Sequence, residues 1–267
     1  MGKIYEKAHA AWYDALFGEL HEKEKALEAA GNRDGVFDCW REISQLLAQD
    51  SERIKAYFPK GEVWDFSEAK KKAYIARNDT FSLIPITEKY TEDFVKVRRL
   101  HNFDEKFSDD LERAILDRYR DELTSPNSFI CAAVTRESDR FCGYVSVKDS
   151  SLKLWEIAIE LLPEYCGHGF GPVIIPLFLN AVKELTGRNE FRAIVEPDNY
   201  ASQRCMKKAG AKLAGLTDYI FGDRKAAEKF ENANLDLITD EMSCRAEELG
   251  VEPKCLLSAL LDYRFSL

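Results

Sequence analysis

Three glycines at alternate positions, in Cys166-Gly167-His168-Gly169-Phe170-Gly171, stand between an apolar run and an amphipathic one. Each glycine removes a Cβ, so an anion can approach the main-chain N–H groups, and a helix beginning there adds its partial positive charge. Such turns also serve tight packing alone, so the flanking residues must decide. Upstream, Glu156 and Glu160 are four residues apart in the run from Leu154 to Leu162. On a regular strand that spacing points both carboxylates to one face, where a pair can bind a cationic amine. The competing reading is a pair of plain surface residues. Downstream, Asn199 and Ser202 precede a short helical pattern, where either could cap the helix or orient a ligand. His168, inside the turn, reads first as a solvated turn residue.

The run 154–162 reads as a strand, 173–185 as a helix and 191–195 as a second strand, which together make a β-α-β crossover. A short helix spans 203–210. Before the crossover, 81–86 suits an opening strand, 88–100 and 108–123 two amphipathic helices, and 129–134 and 141–147 two strands of an antiparallel meander. The whole predicts an α/β sheet with helices on both sides.

Further residues sharpen this. Glu156-Ile157 leads to Leu161, Pro163-Glu164 and the glycines; later come Asn199, Ser202, Lys208 and Gly210. In these positions the chain resembles the GNAT superfamily of acetyl-CoA-dependent N-acetyltransferases. Within it the chain is most similar to the branch acetylating ribosomal-protein N-termini (alanine or serine), with its small-molecule-acetylating relatives. The likeness covers about residues 141 to 213. It implies a mixed, mostly antiparallel sheet flanked by helices, with helical N- and C-terminal extensions added here.

The same resemblance implies the site. Residues Cys166, Gly167, His168, Gly169, Phe170 and Gly171 would hold the pyrophosphate of acetyl-CoA, with Ile159 and Leu161 beside the acetyl group and Asn199 and Ser202 near the cofactor. Glu156 matches the strand glutamate of the family and is the first choice of base. Glu160 is the second, and Ser202 could donate to the thiolate. Four positions depart from the family. Cys166 replaces the frequent Gln or Arg, and Pro172 has no N–H to offer. Met206 stands where many members keep a thiolate-protonating tyrosine, although the N-terminal-acetylating branch often lacks it. Ala211 replaces an aromatic. Because the family reacts by direct transfer, Cys166 and Cys205 are not expected to carry the acyl group.

Composition bounds the rest. A chain of 267 residues, 45% hydrophobic and 32% charged, is ordinary for a globular protein. A net charge of −9 argues against general nucleic-acid binding, which needs a basic face. An acidic surface would attract amines or basic peptide ends, or merely keep the protein soluble. Seven cysteines without regular spacing do not suggest a disulfide framework, and the four histidines show no metal-ligand spacing. Cys131 and Cys142 read as buried small hydrophobes. The N-terminus lacks a secretory apolar core and no run is long enough to span a bilayer, so the expectation is a cytoplasmic protein without membrane contact.

Residues 1–58 look helical, with stripes at Trp12, Leu16, Leu20 and at Val36, Trp40, Ile43, Leu47, broken at 30–35 into a hairpin. Both stripes read as core. Lys70-Lys71-Lys72 reads as a solvated helix face. After Asp223, helices are expected over 226–249 and 255–263, with Gly250 between them. The source of the sheet's last strand is open. The expected organisation is a helical N-terminal extension (1–78), an acetyltransferase domain (79–222) and a helical C-terminal extension (223–267), with a homodimer through the extensions as one option.

The leading function is transfer of an acetyl group to a primary amine, on a small molecule or a protein N-terminus. The alternative is a non-catalytic acyl-CoA-binding regulatory or scaffolding protein, which Met206 and Pro172 favour. A weaker alternative has the turn binding another nucleotide.

Overall fold

The structure, a computed structural model, describes residues 3–102, 117, 119–217 and 220–267. It forms two compact units, each drawn from separate stretches of sequence: residues 1–59, 195–199 and 214–261 in the first, and 60–194, 200–213 and 262–267 in the second. The sequence expectation was three successive stretches instead.

In the first unit, α1 (Lys3–Ala29) and α2 (Arg33–Tyr57) form the expected hairpin. Gly31 stops α1 at a positive φ of 69°, and the Asn32 side chain accepts from the Gly35 N–H at 3.0 Å to start α2. The stripes are only partly core. Of the stripe residues Val36 is buried and Trp12, Leu16, Leu20 and Ile43 are half-buried, whereas Trp40 is 48% exposed and touches Phe37, itself exposed. Further along, α7 (Arg224–Ala233) and α8 (Asp240–Leu249) replace the single helix expected over 226–249. Asp223 caps α7 through the Lys225 N–H, and Thr239 caps α8 through the Met242 N–H. Two separate caps mean two helices. Gly250 ends α8 as expected, at a φ of 67°.

The second unit holds most of the sheet. The eight strands run in the order β1-β2-β3-β4-β5-β6-β8-β7. They are β1 (Ala76–Arg77), β2 (Phe81–Pro85), β3 (Phe129–Thr135), β4 (Phe141–Val147), β5 (Trp155–Leu161), β6 (Glu190–Val195), β7 (Lys212–Thr217) and β8 (Leu260–Ser266). From β1 to β5 each pair is antiparallel, and β5 to β6 is parallel, across α5 (Gly171–Thr186). The helix expected over 255–263 is a correction: a short 3-10 turn, Pro253–Leu257, precedes β8, which supplies the sheet's missing strand. Residues 260–263 are buried in succession, and although 261–266 alternate apolar and polar, the leucines at 256, 257, 260 and 261 imitate a helical period. The Arg192 guanidinium on β6 reaches the Asp262 carboxylate on β8 at 2.9 and 3.3 Å, both side chains buried.

Pairing assigns the two faces of this sheet. Ile130, Ala132 and Tyr144 lie on the face covered by α4 (Glu88–Asn102), packed with Tyr90, Phe94 and Val97. Phe129, with Phe178 of α5 at 6.2 Å between ring centroids, lies on the other. The helix expected over 108–123 falls largely outside the described residues. Before the sheet, α3 (Ser67–Lys70) carries a second correction: Lys70 is not a solvated residue, since its Nζ donates to the Leu123 and Ser125 carbonyls at 2.8 and 2.5 Å. Among the described residues no helix is long and apolar enough to cross a membrane.

Candidate active site

After β5 the chain makes a 3-10 turn, Pro163–Tyr165, and passes through Cys166 in extended conformation into the glycines. Gly167 and Gly169 both have a φ of 80°, a left-handed region that costs a side chain dearly. A Cβ at either would meet nothing within 4 Å, so φ rather than crowding demands glycine, and the space over the turn is open. Gly171 has the opposite reason: a Cβ there would lie 2.5 Å from the Cys205 Sγ on α6 (Tyr200–Lys208), so the glycine lets α6 close on the start of α5. The Phe170 ring is anchored against Phe81 at 4.9 Å and Tyr165 at 5.9 Å between centroids.

Backbone accounting makes this a ready anion cradle. The Val173 and Ile174 N–H groups turn back to the Phe170 carbonyl at 3.0 and 2.9 Å, whereas those of residues 167–171 meet no acceptor among the described residues. Pro172, in the first turn of α5, contributes none but suits the helix start. A diphosphate fits this arrangement: several convergent N–H donors, a helix N-terminus and no Cβ in the way. Of the non-glycine residues expected here, His168 is exposed, with its ring 6.1 Å from that of Phe170. The Cys166 thiol points back toward the Leu161 and Leu162 carbonyls at 3.8 and 3.6 Å, and burial, then Glu164, raises its pKa.

Strand β5 supplies the next part. The Lys148 N–H donates to the Glu156 carbonyl and the Leu162 N–H to the Cys142 carbonyl, so even-numbered residues of β5 spend their backbone groups on β4. Odd-numbered ones therefore face β6. Pairing to β6 is limited to Trp155–Phe191 and Glu156–Arg192. Beyond Glu156 the ladder stops, so the main chain of Ile159 looks into the gap, while its Cδ1 would lie 3.8 Å from a Cβ at Gly171. The expected position of Ile159 and Leu161 beside a cofactor's reactive end is consistent with this gap.

The alternate residues of β5 point the other way. Glu156, Ala158 and Glu160 share the α4 face, opposite Ser146 and Tyr144 in the β4 register. Glu156 is buried and its carboxylate is held by the Lys148 Nζ. Glu160 receives the Arg98 Nη1 at 3.3 Å, while its Oε2 is buried without a hydrogen-bond partner. Arg98, from α4, also donates to the Tyr144 hydroxyl at 3.1 Å and lies over the Tyr119 ring at 4.4 Å. Burial works against the guanidinium charge, but Tyr144, Glu160 and Glu122 outweigh it and raise its pKa. Burial, and then the Glu160 charge, push the Tyr144 hydroxyl well above its ordinary value, which keeps it protonated. A cavity of about 220 Å³ opens here, lined by Arg98, Glu122, Tyr144, Ser146, Lys148 and Ala158, among others.

Sequence reasoning brought the two glutamates together correctly but missed Arg98, Tyr144 and Lys148. One signal was available: Arg98 continues the buried stripe of Tyr90 and Phe94 at four-residue spacing, an unusual place for a charge. Ser202 is half-buried on α6, and Met206 is buried beside it in sequence, with no hydroxyl to offer. Asn199 belongs to the first unit, where its Nδ2 donates to the Glu196 carboxylate at 3.2 Å. Among the described residues no cluster could hold a metal ion.

Residues 80–212 match the family described as Acetyltransferase (GNAT) domain. Among solved structures the chain is similar to spermidine N-acetyltransferase from Vibrio cholerae in complex with CoA and spermine. That match has 12% identity and a TM-score of 0.48, covering 71% of this chain and 96% of that one. It is also similar to Mycobacterium smegmatis RimJ in complex with CoA-disulfide, at 13% identity and a TM-score of 0.45, covering 70% and 81%. A domain from Methanocaldococcus jannaschii matches at 16% identity and a TM-score of 0.46, covering 71% and 100%. No curated protein matches the sequence. With its acetyltransferase domain over residues 80–212, this chain belongs to the GNAT acetyltransferases, which use acetyl-CoA.

Proposed function

We propose that the chain transfers an acetyl group from acetyl-CoA to a primary amine by direct attack, both substrates being bound together. The observation that carries this reading is the division of labour along β5. Odd-numbered residues turn their backbone toward the gap with β6. Even-numbered residues set Glu156 and Glu160 on the α4 face, either side of Ala158, which lines the cavity there with the two cations that hold them, Lys148 and Arg98.

Acetyl-CoA supplies an activated acyl group as its thioester. The N–H groups of 167–171 bind its diphosphate, and the Ile159 N–H polarises the thioester carbonyl, a donor that needs no reorganisation. Holding amine and thioester in one geometry supplies much of the acceleration. An amine is mostly protonated at neutral pH, so a base is needed. Glu156 takes the amine proton, directly or through water, as the C–N bond forms and the C–S bond breaks. Lys148, half exposed, shares that carboxylate in the resting state and is displaced toward solvent by the incoming ammonium. Glu160 is already engaged by Arg98, so it orients that guanidinium rather than serving as base. The departing thiolate takes its proton from Ser202 or from water, since Met206 has none to give. The acceptor is a small-molecule amine or a protein N-terminus.

Met206 supports a second reading, a domain that binds acyl-CoA without turnover. A single experiment separates them. Purified protein is incubated with acetyl-CoA and a panel of amines and N-terminal peptides, and release of free thiol is followed. Turnover with any amine, lost in Glu156→Gln while acetyl-CoA still binds, supports the enzyme. Binding without turnover across the panel supports the second reading.

A further inference from the structure

A cavity of about 410 Å³ belongs to the first unit, and none of the groups used above lines it. Trp12, Leu16, Leu46 and Phe221 form apolar walls, and Gln49, Asp50, Arg53 and Asp223 supply the polar part. That volume is within the range of small-molecule sites, and apolar walls with few polar groups are their usual lining.

The charges are unevenly committed. The Arg53 Nε and Nη2 both lie 2.8 Å from one oxygen of Asp50, Oδ1, and Nη1 is 3.5 Å from the Phe221 carbonyl. Arg53 is thus spent on the protein. Asp50 is only half spent: both contacts fall on its Oδ1, and its side chain is 11% exposed at the cavity wall. Asp223 adds a second carboxylate at the exposed rim. With Asp50 and Arg53 cancelling, the lining carries one net negative charge. His9, one turn before Trp12, does not offset it: burial lowers its pKa more than Asp50 raises it.

We infer that this cavity binds an organic cation with an apolar body, an ammonium group donating to Asp50 Oδ2 and a ring or chain lying against Trp12, Leu16 and Leu46. An anion would face two carboxylates and a guanidinium whose charge Asp50 already balances. A neutral ring would cover the Asp50 carboxylate without donating to it.

Three probes of one shape test this: tryptamine, indole and indole-3-acetate, titrated calorimetrically into the protein without acetyl-CoA. Tryptamine is expected to bind, with indole-3-acetate weaker by about tenfold or more, the scale of a charge-assisted hydrogen bond. Asp50→Asn should weaken tryptamine by a similar factor. Ala15→Phe, which fills the cavity from its exposed edge, should abolish binding, with thermal unfolding confirming that each variant is folded. Undiminished tryptamine binding in Ala15→Phe would place the amine elsewhere, including under α4, and overturn the inference. So would equal binding of the acid, or no binding of any probe.

Discussion

The two sides of β5 are one strand put to opposite uses. Toward α5 it presents Ile157, Ile159 and Leu161, and its backbone opens into the gap where β6 leaves it. Toward α4 it presents Glu156, Ala158 and Glu160, each carboxylate already met by a cation. A period of two is enough to give one strand a backbone edge open to the gap and a row of carboxylates on one face. The difference also shows what each side can tolerate. The turn side depends on backbone φ and N–H groups, so any substitution that changes φ disables it. The α4 side depends on side-chain charges, so it can be neutralised without moving the chain.

This contrast can be broken most sharply at Glu156. Glu156→Gln removes the base and keeps the shape, and kcat should fall by about 10²-fold or more, within the usual range for general-base catalysis. Affinity for acetyl-CoA should hold, as measured calorimetrically. Next comes Gly169→Val. At a φ of 80° a β-branched residue is strained, and its methyls would occupy the open space over the turn. Acetyl-CoA binding should weaken by about tenfold or more, corresponding to ~1–3 kcal/mol of strain.

A smaller effect is expected at Arg98→Met, which leaves Glu160 without its partner and reshapes the α4 cavity. The acceptor KM should rise about tenfold, consistent with a lost charge-assisted hydrogen bond of ~1.5–3 kcal/mol, while acetyl-CoA affinity stays. Equal changes in both would show that the two sides are not separate.

The smallest effects concern the thiols. Burial pushes the Cys205 thiol up to about 11 against the pull of Lys208, and burial raises Cys142 to about 11. Both are therefore protonated at neutral pH, and Cys205→Ala should leave turnover nearly unchanged. The sign for stability follows: the folded state holds these protons more tightly, so their contribution is full below the ordinary thiol value near 9 and is lost as pH rises through about 11. Thermal midpoints measured from pH 8 to 11 should decline, less steeply in Cys142→Ala.

What was legible in the sequence follows the same divide. The glycine turn and β5 were readable because their constraints are local: positive φ at Gly167 and Gly169, and a period of two at Glu156 and Glu160. The hairpin of α1 and α2 was readable from its break at Gly31 for the same reason. Features that depend on distant partners were not. Residues 261–266 of β8 do alternate apolar and polar, but Leu256, Leu257, Leu260 and Leu261 just before them set a helical spacing that masks the period of two. Lys70 looks like its solvated neighbours until the Leu123 and Ser125 carbonyls are placed beside it. Trp40 fits a core stripe but is left half exposed. Arg98 gains its meaning only when α4 is laid over Glu160 and Tyr144.

The most direct test of the division along β5 is calorimetric titration of acetyl-CoA into wild-type protein, Glu156→Gln and Gly169→Val, with turnover measured on the same samples. The account predicts equal binding by wild type and Glu156→Gln, turnover about 10²-fold lower in Glu156→Gln, and binding about tenfold or more weaker in Gly169→Val. Strong binding by Gly169→Val, or full turnover by Glu156→Gln, would contradict it.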